Sequence, residues 1–259
     1  MTADDAFRAE VADNIASLGR DRDLQALSRI WTREVAPHKW SYNFRWLGRP
    51  AIQYPNDAWA LQELIHAIRP DLIIETGIAH GGSLVFSASM LALLDYSEAS
   101  ERGETLDPRA PKRKVLGIDI DIRAHNRDAI ESHPMAPRID MIEGSSIDPA
   151  IVDEVKARAA GSERVLVCLD SNHTHDHVLG ELEAYAPLVS PGSYIIVYDT
   201  IIDDLPEALI GNRPWGAGSN PKTAVHAFLQ THPDFVIDEE IDHKLQISVA
   251  PQGFLRRVA

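Results

Sequence analysis

The sequence predicts an α/β fold: a seven-stranded, mostly parallel sheet with helices on both faces and an antiparallel hairpin at its C-terminal end. Three observations carry this. Short apolar runs alternate with amphipathic stretches at least five times from residue 72 onward, which means a parallel sheet covered on both sides. Two further apolar runs, 235–241 and 244–250, lie close enough to pair as a hairpin. The chain has 259 residues, 44% hydrophobic and 25% charged, enough for a large buried core and an ordinary globular balance.

The elements follow in order. Residues 4–35 read as helical, with Phe7, Val11, Ile15 and Leu18, then Leu24, Leu27 and Ile30, as the apolar positions. Residues 36–55 gather Trp40, Tyr42, Phe44, Trp46 and Tyr54 among Pro and Gly, an aromatic flap that either packs on the core or lids a pocket. Together, 1–55 form an N-terminal region of helices and flap. Residues 56–259 form the main domain, and the whole is a single compact unit. Leu61, Leu64, Ile65 and Ile68 mark a helix that Asn56 caps and Pro70 follows. Residues 72–75 are the first buried strand. Residues 82–95 are apolar nearly all round, as in a helix buried under a sheet. The charged stretch 97–113 reads as a surface insertion. Strands are expected at 115–120, 139–142, 165–169 and 194–198. Helices are expected near 123–132, from an Asp148 cap with Pro149 behind it, along Val178, Leu179, Leu182 and Tyr185, and along Ala224, Val225, Phe228 and Leu229. Residues 203–221 are a Gly/Pro-rich loop carrying Arg213 and Trp215.

Composition narrows the function. Net charge is −14, which argues against nucleic acid as a partner and leaves a small cationic ligand or a divalent metal open. A single cysteine, Cys168, excludes an intramolecular disulfide and a Cys-rich zinc site. No apolar run approaches the ~20 residues of a membrane span. The first residues lack a basic, then apolar, leader pattern, so a soluble cytoplasmic protein is expected.

In such sheets ligands bind beyond the carboxyl ends of the strands. After the first strand stands Glu75-Thr-Gly77-Ile-Ala-His80-Gly81-Gly82-Ser83, neither GxGxxG nor a P-loop. Its glycines admit close backbone approach, its helix start offers free N–H groups, and its acid suits a cationic amino group. It is equally compatible with a tight strand–helix turn. After the second, Asp119 can accept both hydroxyls of a ribose, while Asp121 can cap the next helix. After the third, Glu143-Gly-Ser-Ser146-Ile147-Asp148 is small and polar, suited to a base edge as well as to capping. After the fourth, Asp170-Ser-Asn-His173-Thr-His175-Asp-His177 is the densest titratable cluster. It is one residue short of a His-x-His-x-Asp-His zinc motif, and no further histidine is spaced for a second metal. His175 and His177 fit a surface or helix start. After the fifth comes Asp199, and the pair Asp170/Asp199 can hold Mg²⁺ through oxygens or be merely hydrogen-bonded acids.

Taken with Pro191-Gly-Ser-Tyr-Ile-Ile-Val-Tyr-Asp-Thr200 and Arg213-Pro-Trp-Gly-Ala-Gly-Ser-Asn-Pro221, these stretches resemble the cephalosporin hydroxylase-like / rhamnosyl O-methyltransferase family over roughly residues 40–258. The resemblance implies a Rossmann-like class I methyltransferase fold and an S-adenosylmethionine-dependent O-methyltransferase acting on a sugar hydroxyl, of a deoxysugar or a glycosylated natural product as in antibiotic biosynthesis. It implies that Glu75 and Gly77 line the methionine end, in a cofactor pocket that also takes in Ser83 and Asp170. Asp119 would hold the ribose, and Ser146 and Ile147 would flank the adenine. Asp170 and Asp199 would hold Mg²⁺ or another divalent cation, with His173 as general base. Relatives carry a second acid or amide beside the position of Asp199, where this chain has Tyr198. A homodimer or higher oligomer is a family habit. Two alternatives stay open: an oxidoreductase or hydroxylase of a small natural product, and a non-catalytic subunit that binds an adenosyl ligand.

Overall fold

The computed structural model describes residues 2–259. The chain opens with two helices, α1 (Ala3–Arg20) and α2 (Arg22–Val35), which meet at Asp21, the N-cap of α2. A two-stranded ribbon follows, β1 (Arg45–Trp46) and β2 (Arg49–Pro50), and then α3 (Pro55–Ile68). The main body then alternates as expected: β3 (Leu72–Thr76), α4 (Gly82–Arg102), β4 (Lys114–Asp119), α5 (Ala124–Glu131), β5 (Ile139–Glu143), α6 (Pro149–Ala159), β6 (Val165–Leu169), α7 (His175–Tyr185) and β7 (Tyr194–Val197). The C-terminal part adds α8 (Glu207–Ile210), α9 (Pro221–Leu229), β8 (Phe235–Ile237), α10 (Glu239–Leu245) and β9 (Phe254–Arg257).

The seven strands β3–β9 form one sheet in the order β5-β4-β3-β6-β7-β9-β8. All neighbours are parallel except β9, which runs antiparallel to both β7 and β8. The central strands are buried along their whole length because helices cover both faces. β3 and β6 show no polar alternation for that reason. One face carries α3, α4 and α5, through Leu61, Ile65, Leu84, Leu91 and Ile130. The other carries α6, α7 and α9, through Val152, Val155, Leu182, Tyr185 and Phe228. Each such fully buried aliphatic or aromatic side chain contributes roughly 1.5–3 kcal/mol of transfer free energy.

Several boundaries differ from the sequence reading. The last strand is not at 244–250 but at β9, and residues 239–245 are helical. The antiparallel pair is therefore not a tight hairpin: β8 and β9 are joined through α10, and β9 inserts between β8 and β7. Ile241 and Leu245 repeat at helical spacing and pack against the core, which accounts for the helix. α4 runs on to Arg102 before Gly103 ends it in the left-handed region, so the insertion begins at 103 rather than 97. Asn56 does not cap α3. Tyr54 is the N-cap with Pro55 behind it, and the Asn56 amide donates to the Leu245 carbonyl at 3.4 Å. The flap is a packed aromatic cluster: Trp40 meets Trp31, Phe44 and Tyr54 edge-on, each at 4.8 Å.

Candidate functional site

The turn between β3 and α4 is fixed from several sides. Asp119, at the end of β4, accepts the backbone N–H groups of Ile78 (2.8 Å) and Ala79 (3.2 Å) on one oxygen and that of Asp121 (3.1 Å) on the other. Arg49 donates to the His80 carbonyl and to Asn126, whose amide donates to the Ala79 carbonyl at 2.9 Å. Gly77 has φ +90°, and a Cβ there would overlap the Asp170 carbonyl oxygen, so no other residue fits. This close approach sets the β3 turn directly against the start of the β6 loop. Glu75 is 3% exposed, and among the described residues its one hydrogen-bond partner is Ser83, whose hydroxyl donates to it. Burial pushes the Glu75 carboxyl up to about 7, against the smaller opposing pull of that hydrogen bond. The strap Pro50–Gln53 covers the turn, leaving a small cavity whose walls include Gly77, Ser83 and Asp170.

β6 and β7 are neighbours, so their carboxyl ends bring Asp170 and Asp199 together. His173 joins them: candidate ligand atoms of Asp170, His173 and Asp199 all lie within 4.8 Å of one another. His173 Nε2 stands 3.4 Å from Asp199 Oδ2. Asp199 takes the left-handed conformation, φ 57°, at the sharp turn off β7. The Asp170 carboxyl is raised well above its usual range, first by burial and then by the like charges of Asp199 and Glu75. The two carboxylates face one another without a Lys or Arg partner among the described residues and offer oxygens that fit a divalent cation, and the imidazole beside them can serve as a further donor or, left unbound, as a base.

Tyr198 does not enter this set. Its side chain is 2% exposed and packs in the core with Cys168 and Phe254. Asp203 and Asp204 do not replace it: Asp203 accepts from Asn220 Nδ2 (2.6 Å) and the Gly218 N–H, and Asp204 pairs with Lys222. These bonds pin both ends of the 203–221 loop. From it, Trp215 reaches back to meet the His173 ring edge-on at 4.9 Å, and the Arg213 guanidinium lies 5.7 Å from the Trp215 ring.

The histidine run therefore divides. His173 goes to the acid pair and His175 to Thr223 of α9 at 2.8 Å. His177 goes to a third group, with Ser146, Ser171 and Glu181. Ser146 is 4% exposed and Ile147 40%, beside α7 rather than beside the acid pair. Glu181 was not singled out by the sequence reading. The signal was present: it falls at helical spacing among Val178, Leu182 and Tyr185, an acid on the apolar face of α7.

Comparison with known proteins adds to this geometry. A family model described as Rhamnosyl O-methyltransferase/CmcI matches residues 38–258. A rhamnosyl O-methyltransferase of Mycobacterium tuberculosis is 30% identical over 228 residues, covering 85% of this chain and 83% of the relative. That of Mycobacterium leprae is 29% identical, covering 85% and 88%. Among solved structures, CmcI with Mg-SAM superposes with a TM-score of 0.56 at 18% identity, over 84% of this chain and 78% of that one. Apo CmcI gives 0.55 at 19% identity, over 84% and 77%. These two likenesses establish the class I methyltransferase fold.

Proposed function

Because the chain belongs to the Rhamnosyl O-methyltransferase/CmcI family, we propose that it is an S-adenosylmethionine-dependent O-methyltransferase acting on a sugar hydroxyl. The observation that carries the reading is the joining of two features at one point: the glycine turn after β3 abuts the backbone of Asp170, the first member of the Asp170/His173/Asp199 cluster. A donor of the methyl group and an acceptor held at the cluster would then be neighbours.

When bound, S-adenosylmethionine supplies an electrophilic methyl group on a sulfonium, and Mg²⁺ or another divalent cation on Asp170 and Asp199 polarises the acceptor oxygens. The chain does the rest. Glu75 and Ser83 face the methionine end, and the excess of carboxylates at this edge favours a cationic ligand. Asp119 holds the turn and keeps lone pairs for a ribose. Ser146 and Ile147 flank the adenine. His173 accepts the proton of the sugar hydroxyl, with Asp199 beside its Nε2 to orient it and balance the charge that it gains. Transfer would make the O–CH₃ bond as the S–CH₃ bond breaks, the electron pair staying on sulfur as a neutral thioether. Trp215 and the aromatic flap offer apolar faces to a sugar ring.

An oxidative reading draws less support, because a facial iron triad takes two histidines and one carboxylate, and this cluster has the reverse. We also infer a homo-oligomer, since Phe7 on α1 and Trp59 on α3 are about two-thirds exposed; light scattering reading a monomer would end that. The main test is calorimetric titration with S-adenosylmethionine followed by turnover on a panel of rhamnosides and nucleotide sugars. Saturable one-site binding and transfer to a sugar hydroxyl are expected. No binding at millimolar ligand by a folded protein overturns the reading.

A further inference from the structure

Asp199 keeps a backbone conformation that needs support. Its φ is 57° and its ψ 18°, in the left-handed region. That region costs a non-glycine residue free energy and persists only where the surroundings enforce it. The surroundings here are residues 248–253, which lead from α10 into β9. Val197 donates its N–H to the Gly253 carbonyl at 2.8 Å, and Ile201 donates its own to the Val249 carbonyl at 3.2 Å. The Thr200 hydroxyl donates to the Pro251 carbonyl at 2.8 Å. These bonds bracket Tyr198-Asp199 from both sides. A Cβ on Gly253 would overlap the Val197 carbonyl oxygen, so glycine is what lets the segment lie this close to the end of β7.

The segment is fixed in turn by Asp57, near the start of α3. Asp57 is fully buried, and no Lys or Arg stands beside it among the described residues, a costly state for a carboxyl group. One oxygen accepts the Ser248 hydroxyl at 2.5 Å and the other accepts the Val249 N–H at 3.0 Å. Ser248 Oγ in turn accepts the Ala250 N–H at 2.8 Å. Among the described residues the Asp57 side chain bonds to nothing else, so both its bonds go to the segment that braces Asp199. Val249 is the joint: Asp57 holds its N–H, and its carbonyl holds Ile201.

We propose that Asp57 is a positioning residue for the cation site: through Ser248 and Val249 it braces the turn that sets the Asp199 carboxylate against Asp170. The proposal rests on the reading of Asp170 and Asp199 as ligands of a divalent cation. Without the brace the turn relaxes out of the left-handed region, and the Asp199 carboxylate moves away from its partner. The glycine turn after β3 is held independently, by Asp119 and Asn126. Loss of Asp57 is therefore felt by a cation and not by an S-adenosyl ligand. Shape is needed here rather than charge. A carboxamide at 57 accepts the Val249 N–H through its oxygen and donates to Ser248 Oγ through its nitrogen.

The test is titration of the full chain with Mn²⁺, which favours oxygen ligands as Mg²⁺ does. Binding is followed by the electron paramagnetic resonance of the free ion, beside calorimetric titration with S-adenosylhomocysteine. The wild type is expected to take up Mn²⁺ at one site. Asp57→Ala should bind it about 10–100-fold more weakly, the usual cost of losing a group that orients a metal ligand. Its affinity for S-adenosylhomocysteine should stay close to wild type, and Asp57→Asn should restore Mn²⁺ binding. Should Asp57→Ala fail to fold by circular dichroism, Thr200→Val keeps Asp57 and removes the bond next to Asp199. It should weaken Mn²⁺ binding by about tenfold, again without loss of S-adenosylhomocysteine. Unchanged Mn²⁺ affinity in the folded variant overturns the proposal. So does an equal loss of both ligands, the mark of a merely structural role, or an asparagine variant as weak as the alanine one. Failure of the wild type to bind Mn²⁺ removes the cation reading itself, and the positioning role with it.

Discussion

At the amino edge of the sheet Asp95 and Glu98 have guanidinium groups beside them; at the carboxyl edge Glu75, Asp170 and Asp57 have none among the described residues. Asp95 on α4 meets Arg113 and also Arg138 at 2.6 Å, while Glu98 meets Arg113 at 2.7 Å and Arg69 at 3.2 Å. The partners hold the Glu98 carboxyl below its ordinary range in spite of burial. At the other edge, burial pushes Glu75 and Asp57 each up to about 7 and Asp170 well above its usual range. The two edges teach what paired and unpaired buried charge are for. The compensated cluster locks α4 to the starts of β4 and β5. The uncompensated one holds carboxyls that burial keeps from ionising freely, and a bound cation would favour their ionised form.

The sharpest way to break this contrast is at His173. His173→Ala should lower methyl transfer by about 10²–10⁴-fold, the usual range for loss of a positioned base. Affinity for S-adenosylmethionine should stay close to wild type in a parallel titration. Comparable turnover would remove His173 from the chemistry. Next in size is Arg113→Met, which strands Asp95 in the interior. Removing one partner of a buried pair costs about 3–5 kcal/mol, read by urea denaturation. A stable Arg113→Met would mean that the amino edge is not held by its charges.

A third test is pH. Asp57 is fully buried, accepting the Ser248 hydroxyl at 2.5 Å and the Val249 N–H at 3.0 Å, and its folded-state carboxyl stands near 7 against 3.8 when free. Its folded value is raised, so its contribution is fully present below the free value and fades as pH rises through 7. Stability should fall between pH 4 and pH 7 with a slope of up to about 1.4 kcal/mol per pH unit from this group. Asp57→Asn should flatten that slope in melts taken across the range; an equally steep fall would assign it elsewhere. The smallest effect is expected from Asp170→Asn. It removes a charge from the uncompensated edge, so stability should hold or rise by up to about 1 kcal/mol, given the like charges around it. Mg²⁺ is expected to raise the melting temperature of the wild type, and this variant is expected to lose that rise. A melt still raised by Mg²⁺ would refute Asp170 as a ligand.

Much of this arrangement could be read before the fold was known, because strand ends and ligand residues coincide in parallel sheets. β3 to β7 are local apolar runs, and each carries at or within three residues of its carboxyl end a residue that the sequence singles out: Glu75, Asp119, Ser146, Asp170, Asp199. Their convergence also followed from chain order, since β6 and β7 are sequential neighbours. The C-terminal elements were harder. Ile237, Ile241 and Leu245 are four apart, a helical repeat, but the alternation Leu245-Gln-Ile247-Ser-Val249 beside it also fits a strand. Residues 97–102 continue α4 as a solvated helix, with no apolar periodicity to mark them. Glu181 stands at helical spacing on the apolar face of α7, which the sequence shows, but its partners Ser146 and Ser171 lie 35 and 10 residues away and only the tertiary fold brings them to it. Tyr198 could not be placed from sequence either; the structure puts its ring in the core and leaves the two aspartates with a histidine.

Asp199 carries one more implication, for anyone who sets out to improve this protein by selection. It holds a left-handed backbone conformation that glycine and asparagine adopt more readily, and it adds a negative charge to an edge already rich in them. A library ranked by heat resistance alone would enrich Gly or Asn at 199, together with neutral replacements of Asp57 and Glu75. Its winners would be sturdier molecules that have traded away the place proposed for the cation.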